Sequence, residues 1–455
     1  MAGKPFLRCL LFLSCLSLAL IILPGCGKGP APQEGAGAGK GKKTEIVFWH
    51  SYVVTSTGPA LQKLIKRFEA EHPDITLRAQ YVPTGDQLLQ KLTTAVMTNT
   101  APDVCWTHNN WVAPLSKEDT IYDLEELAKQ YGGFGEAEKK DFFPAPLQTS
   151  YYQGKLRMMP IEATNLGLAY NKDLFRKAGL DPEKPPKDWK EFVEYGKKLT
   201  LRKDNRVEQW GCTIPVFTGN LAGWTVWQWV TYLWGEGGQY ADPSGKKVAF
   251  NSPAGVRALQ FWVDLQHKYK IGSLTAPEQG FESQKVAMSL MGPWDLPHLK
   301  DMTFNWAIGP MPAGAKRRVT SLGAEYLVIF RQTKHPKETW EFVRWFITPE
   351  VQEQWSMDSS YLPIRQSVLK SPTYQAFLTK NPAMKAFAEQ MPYSYGEPVL
   401  LPEAGEVDLL LATAIEKAVR DVASPKQALD EAAQKANLLL ATARQKEASA
   451  AAKSK

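Results

Sequence analysis

Ile46-Val-Phe-Trp49-His-Ser-Tyr52 is the stretch that decides the fold. Four apolar residues in a row are too few for a helix and end in hydrogen-bonding groups, the pattern of a short strand buried on both faces. The capping-type run Ser56-Thr57-Gly58-Pro59 then opens a helix whose Leu61, Leu64, Ile65 and Phe68 fall at helical spacing, and His72-Pro73 ends it. Ile75, Leu77, Ala79 and Tyr81 alternate as a second strand. Gly85-Asp86 starts a helix carrying Leu88, Leu89, Leu92 and Val96, and Pro102-Asp-Val-Cys-Trp106 reads as a third strand. Strand and helix in alternation predict a doubly wound parallel sheet, in which ligands sit beyond the carboxyl ends of the strands. Those ends carry His50, Ser51 and Tyr52, and Thr107, His108, Asn109 and Asn110. None bears a strong charge, which favours a polyol over an ion.

A second stretch points the same way. In Val286-Ala-Met-Ser-Leu-Met-Gly-Pro-Trp294-Asp the apolar residues stop at Gly292-Pro293, which ends both a helix and a sheet ladder. Trp294 is thus delivered at the exit of a buried element. It is either a core indole under a turn or a platform for the face of a small ligand such as a sugar ring.

Phe48-Trp-His-Ser51, the Phe68 to Pro73 helix exit, Ala101-Pro-Asp103, Tyr170-Asn-Lys-Asp-Leu-Phe175 with Ala178-Gly-Leu180, Pro186-Lys-Asp-Trp189 and Gly292-Pro-Trp294 occur in that order. Together they resemble the family 1 extracellular solute-binding proteins of ABC importers, with the maltodextrin and glycerol-3-phosphate binders as the nearest members recognised. The resemblance spans residues 44–443. It implies an α/β fold of two lobes, each a mostly parallel sheet flanked by helices, joined by three hinge crossings and closing on solute. The crossings are expected near Ala163 to Leu166, Ser321 to Ala324 and Ser356 to Tyr361. The implied division is residues 44–163 plus 323–357 for the first lobe and 164–322 plus 358–445 for the second, with 446–455 a frayed basic tail.

By the same resemblance Trp294 matches the stacking tryptophan of the maltodextrin binders, and Asn109 or Asn110 falls where those proteins place a polar sugar ligand. Glu162 lies near their hinge glutamate. Tyr361, in Tyr361-Leu-Pro363, matches a ligand-contacting tyrosine of the glycerol-3-phosphate binders, and Gly323 falls near a backbone contact. Ser51 and Tyr52 complete the hydroxyl-bonding set. In Trp224-Thr-Val-Trp227-Gln-Trp-Val-Thr-Tyr232-Leu-Trp234, Trp227, Val230 and Trp234 share a helical stripe that reads as packing, whereas Trp224 and Tyr232 are the lining candidates. One departure matters. The glycerol-3-phosphate binders use an arginine in the segment that here runs Glu397-Pro-Val-Leu-Leu-Pro-Glu403, which has none. A phosphate needs charge-assisted partners, so the expected solute is an uncharged sugar, with a glycerol phosphate or its diester as the alternative.

Residues 1–26 read as a secretory signal, with Lys4 and Arg8 ahead of an apolar run too short for a membrane span. Leu23-Pro-Gly-Cys26 is similar to the lipobox of bacterial lipoproteins, which implies lipid on Cys26 and attachment outside the cell membrane. Residues 27–43 have almost nothing apolar and form a flexible leash. The formal charge of +7 does not mark a nucleic-acid binder. Its basic excess lies in Lys4, Arg8, Lys28, Lys40, Lys42 and Lys43 and in Arg444, Lys446, Lys453 and Lys455, leaving residues 44–443 close to neutral.

The six histidines at 50, 72, 108, 267, 298 and 335 form no His-x-x-x-His pair, and no Cys-x-x-Cys, Gly-x-Ser-x-Gly or phosphate-loop pattern occurs. No cofactor, metal or catalytic set is expected. A facing pair of carboxylates, as in a glycosidase, stays open as an enzyme reading. The expected partners are a sugar, the permease subunits of an ABC importer and, through Cys26, the membrane; the chain is expected to be a monomer. Cys105 and Cys212, each near an apolar segment, are expected as buried free thiols.

Overall fold

The computed structural model describes residues 43–453, apart from 54–56, 84–85, 117–118, 205, 218, 278 and 397–402. The signal, the Cys26 lipobox and the leash up to residue 42, the arginine-free segment at 397–402, and the helix-opening Ser56 and Gly85 lie outside the described residues.

Thr44–His50, Ile75–Tyr81 and Val104–His108 are the three strands expected around the opening stretch, with helices Gly58–Glu71 and Asp86–Met97 between them. Thr44–His50 is central and parallel to both neighbours, Thr44 opposite Ile75 and Phe48 opposite Val104. Helix Gly58–Glu71 has Pro59 in its first turn and buries Leu61, Leu64, Ile65 and Phe68. Full burial of each such side chain stabilises the fold by about 1.5–3 kcal/mol. Tyr52 N–H donates to His50 Nδ1 (3.2 Å) and Ser51 Oγ donates to the Val82 carbonyl (2.8 Å), which fixes the strand's exit.

Three further strands extend this sheet, the two-residue Ser394–Tyr395 pairing parallel with Thr320–Ile329. Thr320–Ile329 runs antiparallel to Val104–His108, and Met159–Asn165 runs antiparallel to Thr320–Ile329. A separate five-stranded sheet takes the order Trp306–Gly309, Gly167–Asn171, Val286–Met291, Arg206–Cys212, Leu201–Lys203. Its directions are mixed, with Val286–Met291 parallel to Arg206–Cys212 and antiparallel to Gly167–Asn171.

Two buried clusters pack on the sheets, the first reaching Ala169, Met291 and Ile308 on the second sheet as well. Phe48, Val104, Ile161, Leu327 and Trp355 belong to the first, and Leu168, Cys212, Trp229, Trp262 and Ile415 to the other. The chain passes between them along Met159–Asn165 into Gly167–Asn171, and returns along Thr320–Ile329, whose Thr320 side chain bonds both backbone groups of Leu166. Helix Pro349–Ser359 packs on Gly58–Glu71 and on Met159–Asn165. Helix Pro382–Ala388 lies against Trp306–Gly309, and helices Ala404–Val419 and Pro425–Lys453 cover the second cluster.

The last helix continues to Lys453, into the tail that was expected to fray from residue 446. Its final turns are rich in Ala, Lys, Gln and Glu, all strong helix formers, so propensity alone sustains them. Cys105 and Cys212 are free and buried, and burial pushes both thiols up.

Candidate functional site

Two crossing strands and the turn after Met291 build the site. Glu162 and Glu325 stand directly opposite each other on the antiparallel pair, and the register shifts between Glu325 and Tyr326. A bulge of this kind re-aims the side chain beside it. Glu162 is fully buried, and the Glu325 side chain keeps 12% of its surface. Trp355 Nε1 donates to Glu162 Oε2 at 2.6 Å. The rings of Trp355 and Trp106 close around Tyr52, with centroids 4.9 and 6.4 Å away, and Tyr361 stands edge-on to Tyr52 at 6.5 Å.

Burial, and then the opposing carboxylate, raises Glu162 well above the ordinary carboxyl range. Burial raises Glu325 as well. His108 Nδ1 is 3.8 Å from Glu325 Oε1, but burial lowers that imidazole to about 4, so it stays neutral near pH 7. Among the described residues no lysine or arginine forms an ion pair with Glu162 or Glu325.

The second lobe supplies the opposite wall. Strand Val286–Met291 ends at Gly292, and Pro293–Asp295 form a short turn. Trp294 is half-buried, with Trp224 and Trp227 at centroid distances of 5.7 and 5.8 Å. It is therefore not sealed in a core. Gly292 has to be glycine, because a Cβ there would lie about 2 Å from the Trp294 ring. Asp295 accepts from the Gly292 N–H (3.0 Å), and burial pushes it up to about 6. The Trp227 indole donates to the Leu322 carbonyl (3.4 Å) and lies against Gly323, where a Cβ would meet Trp227 at 3.4 Å and Thr164 Oγ1 at 2.5 Å. Tyr361, packed with the first core, is close enough for the charges of Glu162, Glu325 and Asp295 to raise its hydroxyl further after burial.

The structure thus brings together Tyr52, Glu162 and Tyr361, with Gly323 on the same crossing strand as Glu325, and sets Trp224 with Trp294 beside Trp227. Ser51 lies at the mouth of the same strand but spends its hydroxyl on Val82. Asn110 is exposed in the turn Asn109–Trp111 beside the crossing strand Thr320–Ile329; the Asn109 side chain lies outside the described residues. Tyr232 is not brought to this cluster. It packs in the second core against Trp189, Phe261 and Trp262, because it points about 140° around helix Ala222–Gly235 from Trp227. Trp227 stands where Tyr232 was expected, half-buried between Trp294 and Gly323 rather than in the packing stripe.

Sequence reasoning missed Glu325, Asp295, Trp106 and Trp355. One signal was present: Glu325 is a lone carboxylate in the apolar run Leu322 to Phe330. The partnership of Trp355 with Glu162 joins residues 193 positions apart and left no local trace.

A family model described as bacterial extracellular solute-binding protein matches residues 53–353. The sn-glycerol-3-phosphate-binding periplasmic protein UgpB of Pectobacterium atrosepticum is 26% identical over 423 residues, covering 87% of this chain and 91% of that protein. UgpB of Escherichia coli K12 is 26% identical over 420 residues, with 87% and 92% covered. Among solved structures, the cyclic alpha-maltosyl-1,6-maltose binding protein of Arthrobacter globiformis superposes with a TM-score of 0.78 at 28% identity, over 88% of this chain and 99% of that one. UgpB of Mycobacterium tuberculosis in complex with glycerophosphocholine has the same fold, with a TM-score of 0.75 at 21% identity over 89% and 100% of the two chains.

Proposed function

The chain belongs to the bacterial extracellular solute-binding protein family, and on that footing we propose that it captures a sugar between its two lobes and delivers it to an ABC importer. The observation that carries the sugar reading is the charge of the site. Glu162, Glu325 and Asp295 surround Tyr361, and no lysine or arginine among the described residues pairs with any of them. A phosphate brought there would find no cation to pair with in a low dielectric, whereas a hydroxylated ring finds polar partners in the carboxyls, the Tyr361 hydroxyl and the indole of Trp294. The names of the UgpB relatives keep glycerol phosphate as the second reading.

The proposed lobes are residues 44–163 plus 323–357 and residues 164–322 plus 358–445. A solute that touches both stabilises the closed form by its differential affinity, and that population shift presents a loaded receptor to the permease. Lipid on Cys26 tethers the monomeric receptor outside the membrane. It works by binding without turnover. Glu162 and Glu325 share one wall of adjacent strands, whereas a hydrolase pair flanks the scissile bond from its two sides.

Thermal-shift screening of the purified protein against neutral mono- and oligosaccharides, glycerol 3-phosphate and glycerophosphocholine tests this. A sugar is expected to raise the melting temperature, and Trp294→Ala to erase the rise. Stabilisation by the phosphate compounds alone overturns the sugar reading.

A further inference from the structure

Inside the site one group of atoms is left over. Ser356 Oγ is buried without a partner, and Glu162 Oε1, Tyr52 Oη and Trp106 Nε1 are buried against one another without a hydrogen bond of good geometry. Tyr52, Trp106, Glu162 and Ser356 are at most 5% exposed. The Tyr52 hydroxyl and the Trp106 indole both face the Glu162 carboxyl, since each favours its charged form. Glu325 Oε2 is likewise buried and without a partner. A buried polar group with no partner costs about 1–3 kcal/mol in a protein interior, and a carboxyl such as Glu325 costs more when ionised and left unpaired. The walls around them are aromatic: Tyr52, Trp106, Trp355 and Tyr361, with Trp111 edge-on to Trp106 at 6.2 Å.

Two carboxyls side by side in an aromatic recess satisfy a cation better than any neutral group. An ammonium would donate charge-assisted hydrogen bonds to Glu325, drawing its carboxyl into the ionised form, and would be attracted to the faces of Tyr361 and Trp106. Among the described residues no lysine or arginine pairs with Glu325, and the imidazole 3.8 Å from it, His108, is neutral there. Glu325 keeps a small exposed edge, while Glu162 opposite it on the paired strand is fully buried.

From this arrangement we infer that the preferred solute is a sugar bearing an ammonium group, seated against Glu325 with Glu162 behind it and its ring on Trp294. This rests on the carbohydrate reading and narrows it to amino sugars. Glu325 then sets specificity, rewarding a positive substituent and rejecting a negative one.

Isothermal titration of the wild-type protein with matched pairs, glucose against glucosamine and the corresponding β-1,4 disaccharides, reads the preference directly. The amino member is expected to bind about tenfold or more tightly, the scale of one charge-assisted hydrogen bond over a neutral one. In Glu325→Gln, which keeps shape and removes charge, the ratio is expected to fall toward one. The wild-type comparison needs no variant to fold, and thermal denaturation of Glu325→Gln checks that it does. Equal affinity within the pairs, or tighter binding of the neutral member, overturns this inference and leaves the sugar receptor standing. Binding of glycerol 3-phosphate with no sugar of either series overturns both.

Discussion

Glu325 faces Glu162 residue opposite residue across the antiparallel crossing strands, and the ladder shifts register immediately after Glu325. Two carboxyls placed so in a buried site cannot both ionise cheaply, and the protein holds them between indoles and phenols instead of cations.

A pH dependence follows. Both carboxyls are raised above 4.5, Glu325 to about 8. The unfolded chain gives up these protons near pH 4.5, while the folded chain keeps them longer and binds more protons in between. Stability from this pair is therefore fully present below about pH 4.5 and is lost as pH rises toward about 8. Urea denaturation between pH 4.5 and 8 is expected to show that decline. Glu325→Gln is expected to flatten it and to stabilise the protein at pH 8 by on the order of 1–3 kcal/mol. Equal slopes in the two proteins contradict the pairing.

Trp355→Phe removes the donor to Glu162 Oε2 while filling most of the same space. The loss is expected to cost about 1–3 kcal/mol in chemical denaturation, since it strands a buried acceptor. The deficit should widen with pH as the carboxyl is forced to ionise. A pH-independent loss would point to packing alone.

Gly323→Ala places a methyl 2.5 Å from Thr164 Oγ1 and against the Trp227 ring. Repacking there is expected to cost about 1–3 kcal/mol and to weaken solute binding by displacing Trp227. Calorimetry and thermal denaturation read the two effects separately. Unchanged affinity would mean that Trp227 does not line the site.

Trp224, Trp227 and Trp294 form one indole cluster. Trp227→Ala is expected to raise the sugar Kd about ten- to a hundredfold, the usual scale for a buried aromatic anchor. Tyr232→Phe is expected to leave it unchanged, because that ring lies in the core with Phe261 and Trp262.

The alternation of strand and helix from Ile46 to Trp106 was legible because each element carries its own period and its own punctuation at His72-Pro73 and Ala101-Pro102. Trp294 was legible too, since Gly292-Pro293 fixes where the ladder stops. The choice between Trp227 and Tyr232 was not. Helix Ala222–Gly235 is apolar nearly all round, so periodicity could not say which ring faces the crossing strands. Glu325 was hidden for the opposite reason. A single charge in an apolar strand shows that something meets it, but its partner, Glu162, is set by strand register 163 residues earlier in the chain.

A crystal structure of the protein with its stabilising sugar tests the central claim most directly. The account expects the ring stacked on Trp294, with Glu325 bonding its substituents from the other lobe and Tyr361 bonding them beside Glu325. A solute held away from Trp294, or gripped by one lobe alone, would contradict it.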